Sequence, residues 1–375
     1  MKLKKNITTT VILAIALLFL AFQGKVAFAA AAVSPLPSNG FFYLKQYPQK
    51  ELWRLFVDGN LHATENGPEG YERREPGSLK GLFEALRYVI VEKPKDITID
   101  SELIFNIHIH VVKGVELEYK APFNRDYCYR FIAEEIVGYQ LSKNVVTLNG
   151  LVELLKKMEL QSKSDEGYMG GYQGCWLAPE NEQNGRLNMQ EAVYPGNVSD
   201  RVSFAGGREA LAGRINDRIQ SELSRFAPAK SSFVYLAPRP GTVARGLAEI
   251  IESYNKEIRI EYLGQDAQLR VIVDHVQRLE QLHPFNDANL RTFAVILLDR
   301  LLMQHGFPPV TLENPNVFDL HSVDELIEVV KGGMNLTKEI IEAGPEADGS
   351  WFNFKSSSIS KDLQKKLTEW SAVLL

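Results

Sequence analysis

Apolar side chains recur every three or four residues along much of the chain, and this spacing predicts amphipathic helices. The pattern at residues 102–112 is rich in Ile and Val, so a strand stays possible there beside the helix. Asp100 or Ser101 is placed to cap that helix, as Thr242 is for a later one. The helices predicted in this way cover residues 78–91, 102–112, 124–158 (as two helices), 208–226, 242–258 and 269–282.

The segment from Asn289 to His305 differs from these helices because it has apolar side chains on nearly every face. A helix without a polar face is buried on all sides, so we expect it in the centre of a helical bundle. Gly306, followed by Pro308 and Pro309, ends it. The pattern as a whole therefore predicts a mainly α fold built around this central helix.

Three segments lack a helical period and define the predicted domain layout. Residues 30–77 are rich in Pro, Gly and aromatic side chains, which favours an irregular N-terminal arm. Residues 160–205 include a Gly-rich stretch and predict a long loop or insertion. Residues 232–236 are apolar and are followed by prolines, which predicts a strand or one arm of a small β-hairpin. The main domain is then expected at 78–335, with a C-terminal helical tail at 336–375.

The N-terminus has the features of a secretory signal. A basic start with three lysines precedes an unbroken apolar run at residues 11–22, and residues 27–29 supply small side chains at a cleavage site. Such a run is short for a membrane span, which needs about 18 residues or more. We therefore expect a signal peptide at 1–29, cleavage near Ala29 and an exported protein, secreted or periplasmic. An uncleaved membrane anchor is the alternative.

The charge of the remaining chain restricts its partners. Removing residues 1–29 removes four lysines and no acid, so 38 basic and 47 acidic side chains remain and the net charge is −9. This balance argues against nonspecific binding to nucleic acid and to anionic membrane surfaces. After cleavage we expect no stable membrane anchor. The two cysteines, Cys128 and Cys175, form one disulfide or remain two buried thiols.

The residues from His283 to Arg291 carry the chemistry that the sequence suggests. An amphipathic helix ends before Pro284, a short polar loop follows, and the buried helix then begins. The free N–H groups and the positive dipole end of that helix form a natural anion site. His283 is available as a base, Asp287 for a divalent cation and Arg291 for phosphate charge. Taken alone, the same residues also fit ordinary helix capping and a structural histidine.

The loop resembles the active-site motif of the Fic family, HxFx(D/E)GNGRxxR. In that family too the loop lies between two helices, of which the second is central and apolar. Residues 233–240 resemble the family's substrate-clamping flap, and residues 301–309 resemble its continuation after the central helix. The resemblance covers about residues 230–310 specifically and implies a Fic-type helical bundle with a small β-hairpin flap. The residues in register with the motif are His283, Phe285, Asp287, Asn289 and Arg291.

The resemblance implies a catalytic role for three of these residues. His283 would take the proton from a target hydroxyl, and Arg291 would balance phosphate charge. Asp287 would bind Mg²⁺ on the diphosphate of the donor. Phe285 would anchor the loop in the core.

The resemblance also implies two binding surfaces. The nucleotide and anion site would be formed by Ala288, Asn289 and Leu290, with Asn289 and the backbone amides surrounding the anion. A flap would align a segment of the target protein by strand addition, which reads backbone more than side chains. The flap residues are Phe233, Val234 and Tyr235.

Three positions depart from the motif. Ala288 and Leu290 stand where the motif has glycines, and Ala294 stands where it has its final arginine. Ala at the first of these positions occurs in phosphocholine-transferring and Doc-type members of the family. Leu290 adds bulk where backbone approaches a phosphate, and the missing arginine is the usual partner of the distal phosphate of ATP.

These features imply a transferase that moves AMP or another nucleotide-derived, phosphate-containing group to a Ser, Thr or Tyr hydroxyl of a target protein. The donor would be ATP, UTP or CDP-choline, and the protein would act as a secreted effector. The alternatives are phosphocholine transfer from CDP-choline and a catalytically degenerate Fic-fold binding protein. Ser162, Glu166 and Gly167 also fit the family's inhibitory pattern (S/T)xxxE(G/N), within the presumed insertion.

Overall fold

Helices make up most of the part of the chain that the structure, a computed structural model, describes. Several predictions lie outside the described residues: the signal peptide, the helices at 148–158 and 208–226, Cys128, and the inhibitory-pattern residues Ser162, Glu166 and Gly167. The described residues are 40–62, 66–93, 98–115, 244–260, 263–285, 287–318, 321–344, 358–372 and 374, with backbone alone at 63–64, 137–140, 172–179, 201–202, 232–238 and 242–243.

The prediction of an irregular arm before residue 78 is wrong for its described part, because short helices follow one another there. They are α1 (Phe41–Gln46), a 3₁₀ helix (Gln49–Leu55), α2 (Leu61–Thr64) and α3 (Pro68–Arg74). The aromatic side chains that suggested irregular structure instead fill the core: Trp53 and Phe56 are 0% and 2% exposed. Helices this short draw their stability from tertiary packing rather than from intrinsic propensity, so their sequence period is weak.

Two helices after this region form the wall on which the central helix packs. Helix α4 (Ser78–Arg87) continues as a π-helical turn (Tyr88–Glu92), and α5 spans Ser101–Val112. Asp100 caps α5 as predicted, with its side chain accepting a hydrogen bond from the Leu103 N–H at 2.7 Å. The two helices approach closely at Gly81, where a Cβ atom would lie 2.5 Å from the Val111 carbonyl oxygen. Because residues 101–112 form a helix, the strand alternative for residues 102–112 is excluded.

The predicted central helix is confirmed and begins in an unusual way. Helices α6 (Thr242–Glu257) and α7 (Gln265–Leu282) precede it, and α9 (Val323–Ala343) follows. The helix opens as a π-helix (Arg291–Leu297) and continues as α8 (Leu298–Gln304). Every residue from 291 to 303 is buried. A π-helical turn inside an α-helix is uncommon and often marks a functional site.

The strand predicted at 232–236 is present as β4 (Ser232–Pro238), but it is not one arm of a hairpin. It pairs antiparallel with β1 (Val137–Gln140) and with β2 (Tyr172–Pro179), and β3 (Arg201–Val202) pairs with β2. The order is β1-β4-β2-β3. Two predictions are corrected by this sheet, because β1 falls where a helix was expected and β2 falls within the presumed loop. Pairing partners far apart in sequence leave no local signal of this kind.

The C-terminal boundary predicted at residue 336 falls inside α9, so the helix crosses it. Helix α10 (Lys361–Ala372) follows and packs on the N-terminal helices. Its Trp370 ring lies 5.8 Å from the Phe83 ring of α4. Within the described residues, no helix is both long and apolar enough for a membrane span.

Candidate active site

The loop between α7 and the central helix begins with a reversal of the backbone at His283. This residue caps α7 in the left-handed region, with φ 50° and ψ 57°, and its N–H donates to the Glu280 carbonyl at 3.0 Å. Asn and Gly are the usual residues in this conformation, and His tolerates it better than most side chains. The reversal turns the chain out of α7 at the residue predicted to be the base.

Phe285 anchors the loop in the core, as predicted. Its side chain is 2% exposed, and its ring packs edge-on against Phe105 at 6.0 Å and parallel to Phe293 at 5.9 Å. The ring of His108, from α5, stacks flat on Phe285 with centroids 3.8 Å apart and planes within 3°. A phenyl ring enclosed on several sides holds the loop against α5 and the central helix together.

Asn289 closes the loop with its side chain. Its Oδ1 accepts from the Phe285 N–H at 3.0 Å, and its Nδ2 donates to the Phe285 carbonyl at 2.7 Å. The residue is 2% exposed. The side chain therefore orders the loop, and what remains for an anion at this position is the backbone N–H of the first helical turn.

Ala288 and Leu290, which replace the motif glycines, have opposite backbone requirements. Ala288 has φ 59°, in the left-handed region where an alanine costs roughly 1–2 kcal/mol relative to its usual conformations. Leu290 has φ −54° and ψ −48°, an ordinary helical conformation. Its side chain packs against the hydrophobic core. Only position 288 is thus a place where glycine would relieve strain, and the leucine is directed into the core.

Thr292 supports the strained residue from the first turn of the helix. Its N–H and its hydroxyl both donate to the Ala288 carbonyl, at 3.0 Å and 2.8 Å. The hydroxyl oxygen also lies 3.1 Å from Nδ1 of His108. A strained backbone persists only where its surroundings hold it, and these bonds are part of that support.

Asp287 and Arg291 lie on one side of the loop and are joined to a third residue. The Arg291 guanidinium forms an ion pair with Glu75, just after α3, and lies 3.8 Å from Asp287 Oδ1. Its side chain is 11% exposed, whereas those of Glu75 and Asp287 are 34% and 47% exposed. Burial alone would lower the pKa of Arg291, but the neighbouring Tyr71 and Glu75 raise it. The arginine is therefore a permanent cation whose anionic partner reaches solvent.

His283 is neutral at physiological pH. Burial lowers its pKa to about 4, although the nearby Asp287 carboxylate opposes the shift. Its Nδ1 is enclosed and has no hydrogen-bond partner among the described residues. A neutral ring is the form that accepts a proton, so the protonation state suits a general base.

Asp287 is the residue of this site that fits a divalent cation. Its carboxylate accepts the Ala288 N–H at 2.5 Å and remains nearly half exposed beside the helix N-terminus. The described residues contain no group of three side chains able to hold a metal ion. Mg²⁺ needs no such group, because it is commonly bound by one or two carboxylates together with substrate phosphates.

The predicted flap does not have the geometry that strand addition needs. Phe233, Val234 and Tyr235 lie in β4, whose two sides are already paired with β1 and β2 over these residues. A strand-adding peptide requires an exposed sheet edge. This prediction is therefore wrong for these residues, since β4 is an inner strand of the sheet.

Sequence reasoning missed three residues that contact the loop. Glu75 and His108 are separated from their loop partners by 216 and 184 positions, and neither carries a local signal. Thr292 was detectable, because it lies four residues after Ala288 on a helix, where a threonine hydroxyl can reach back to the carbonyl. Ala294, in place of the motif arginine, is fully buried in the core.

The arrangement defines a class of site: a neutral histidine, a solvent-facing carboxylate and a buried arginine around the N-terminus of a central helix. The chain is 35% identical over 308 residues to a phosphocholine transferase, AnkX of Legionella pneumophila strain Philadelphia 1. The match covers 81% of this chain and 29% of the relative, so the chain spans less than a third of that protein's length. No protein-family model matches the chain.

Proposed function

We propose that the chain is a Fic-type transferase that moves phosphocholine from CDP-choline to a hydroxyl of a target protein. The observation that carries the proposal is the loop itself, which brings His283, Asp287 and Arg291 to one helix N-terminus. The similarity to a phosphocholine transferase supports this donor over ATP. The buried Ala294 supports it too, because the arginine expected to bind the distal phosphate of ATP is missing.

The reaction requires one proton transfer and one substitution at phosphorus. His283 takes the proton of the target hydroxyl, and the hydroxyl oxygen forms a bond to the phosphorus that bears choline. The bond between that phosphorus and the bridging oxygen breaks, and CMP leaves with the negative charge. Arg291 and the backbone N–H groups of residues 289 and 290 stabilise the charge on the phosphate oxygens.

Asp287 would hold Mg²⁺ against the donor diphosphate. The ion would neutralise charge on the bridging oxygen as it leaves. The chain's own contribution is the position of that carboxylate, which the bond from the Ala288 N–H fixes relative to Arg291.

The ion pair between Arg291 and Glu75 has a consequence for donor binding. A phosphate group competes with the Glu75 carboxylate for the guanidinium, since both are oxygen anions that accept its N–H groups. Glu75 is about one-third exposed, so it has room to turn toward solvent when an anion arrives.

The test is transfer from donors that carry the label in different groups. The purified chain would be incubated with eukaryotic cell lysate, Mg²⁺, and CDP-choline labelled separately in the choline methyls and in cytidine. ATP and UTP would be run in parallel. We expect choline label, without cytidine label, on protein in a reaction that His283→Ala abolishes.

Other results would contradict this proposal in distinguishable ways. His283-dependent transfer of the nucleotide from ATP or UTP would establish nucleotidyl transfer instead. Absence of transfer from every donor would exclude the transferase. Calorimetry with Mg²⁺ and the same donors would then identify a catalytically degenerate binding protein if it detected binding.

We also propose that the protein is exported through its N-terminal segment, from the basic and apolar pattern of residues 1–29. Expression of the full chain and of a form lacking residues 2–29 would test this by fractionation. Export requires that only the full chain be found outside the cytoplasm, shortened near Ala29. Equal retention of both forms would contradict it.

A further inference from the structure

His108 occupies a position in the site that the proposed mechanism does not use. It lies on α5, is 1% exposed, and contacts the loop with two parts of its ring. One face stacks on Phe285 at 3.8 Å, and Nδ1 lies 3.1 Å from the Thr292 hydroxyl oxygen.

The hydrogen bonds determine which ring nitrogen carries the proton. The Thr292 hydroxyl has one hydrogen, and it donates that hydrogen to the Ala288 carbonyl at 2.8 Å. The same oxygen therefore accepts from His108, whose Nδ1 carries the hydrogen. Burial, together with the charge of Arg291, lowers the pKa of His108 to about 3, so the ring is neutral and Nε2 carries no hydrogen.

A chain of contacts thus leads from α5 to the strained residue of the loop. His108 orients the Thr292 hydroxyl, and that hydroxyl holds the carbonyl of Ala288 at φ 59°. The stack on Phe285 fixes the loop on the other side of Ala288. Both contacts act on the stretch that determines where His283 and Asp287 point.

We propose that His108 is a positioning residue, which holds the loop from His283 to Ala288 in its reactive conformation through Thr292 and Phe285. The inference rests on the proposed function for its effect on catalysis. It does not rest on that function for its effect on loop structure. His108 itself exchanges no proton with substrate.

The substitutions that test this separate its two contacts. His108→Phe keeps a ring on Phe285 and removes the bond to Thr292, whereas His108→Asn keeps a donor near the Nδ1 position. Thr292→Val removes the hydroxyl with little change in shape. His110→Phe is the matched control, because His110 lies on the same helix and its ring packs on Tyr88 at 5.1 Å, away from the loop.

We expect His108→Phe and Thr292→Val each to lower kcat about tenfold, since small displacements of catalytic groups cost one to two orders of magnitude. KM for CDP-choline should stay within about twofold, because the loss concerns the transition state. The double variant should be no slower than the slower single variant, since both remove one contact. His108→Asn should recover part of the activity, and His110→Phe should retain all of it.

Amide hydrogen exchange gives a readout that is independent of transfer. His108→Phe should speed exchange at residues 287–292 about tenfold while the urea midpoint of unfolding falls no further than in His110→Phe. Faster exchange without any transfer by the wild-type chain would contradict the proposed function and leave the positioning role standing. Unchanged exchange, additive losses of kcat, or an equal loss in His110→Phe would overturn the positioning role.

Discussion

His62 and His283 have similar electrostatics and different surroundings, and the difference separates a structural histidine from a candidate base. Burial lowers the pKa of His62 to about 3 and that of His283 to about 4. His62 has a partner on each ring nitrogen: Arg54 at 3.2 Å on Nδ1 and the Val57 carbonyl at 2.8 Å on Nε2. His283 has an enclosed Nδ1 without a partner among the described residues, on a ring that is partly exposed.

The wider environment extends this contrast. Arg54 is paired with Glu51 at 2.6 Å, and both side chains are almost completely buried. His62 also packs edge-on against Trp53 at 4.7 Å. This closed cluster satisfies its own charges, whereas the charges of Asp287 and Glu75 face solvent next to the loop. A lowered pKa therefore indicates a functional group only where that group is also accessible to a substrate.

Substitution of the two histidines by alanine should give the largest difference, which is in the stability of the fold. His62→Ala should lower the free energy of unfolding by about 3 kcal/mol, because it removes a buried imidazole that contacts the buried Arg54 guanidinium and the Val57 carbonyl. His283→Ala should lower it by less than about 1 kcal/mol, since the residue is only partly buried and its Nδ1 has no hydrogen-bond partner among the described residues. Urea denaturation of both variants measures the difference. Equal losses of stability would contradict the assignment of His62, and not His283, as the structural histidine.

The pH dependence of stability and of activity should give the next largest difference between the two histidines. A histidine whose pKa is lower in the folded than in the unfolded chain favours the neutral form, so it stabilises the fold fully above its unfolded pKa, about 6.5. That stability is lost as the pH falls from about 6.5 toward the folded value, which is about 3 for His62. The urea midpoint of the wild-type chain should therefore fall between pH 6.5 and pH 4.

A His62→Gln variant should show a shallower decline of that midpoint over the same range, because Gln does not titrate. Transfer activity should follow His283 instead. Its pKa of about 4 predicts that kcat/KM is flat from about pH 5 upward and falls below it, as the base becomes protonated. An activity profile centred near pH 6.5 would show that the pKa of His283 is not lowered in the free enzyme.

Glu75 should have a moderate effect on donor binding. Glu75→Gln removes the anion that competes with phosphate for Arg291, so KM for CDP-choline should fall about threefold to tenfold, in line with a partly exposed ion pair. The matched control is Glu92→Gln, since Glu92 pairs with Arg87 on the surface at 3.1 Å. A higher KM in Glu75→Gln would mean that the carboxylate orients Arg291 for the donor.

The sequence predicted the parts of the site that depend on neighbours along the chain. The end of α7 at Leu282 and the buried helix after the loop follow from local pattern, and the structure confirms them. The anchoring role of Phe285 came only from the resemblance to the family motif, and its side chain is buried. Two partners could not be predicted. Glu75, which pairs with Arg291, comes from the end of α3, and His108, which contacts Thr292, comes from α5. The sheet could not be predicted for the same reason, since β4 pairs with strands that lie about 60 and 100 residues earlier in the chain.

Substitution of Leu290 should have the smallest effect on donor binding. It is also the position where the expectation from the motif differs most from the observed packing. From the motif, its bulk threatens the phosphate site. In the structure its backbone is helical and its partly buried side chain packs against the core. Leu290→Ala should change KM for CDP-choline by less than about twofold and lower stability by about 1–2 kcal/mol through lost packing. If KM fell about tenfold instead, the leucine would be covering the anion site and weakening donor binding in the wild-type chain.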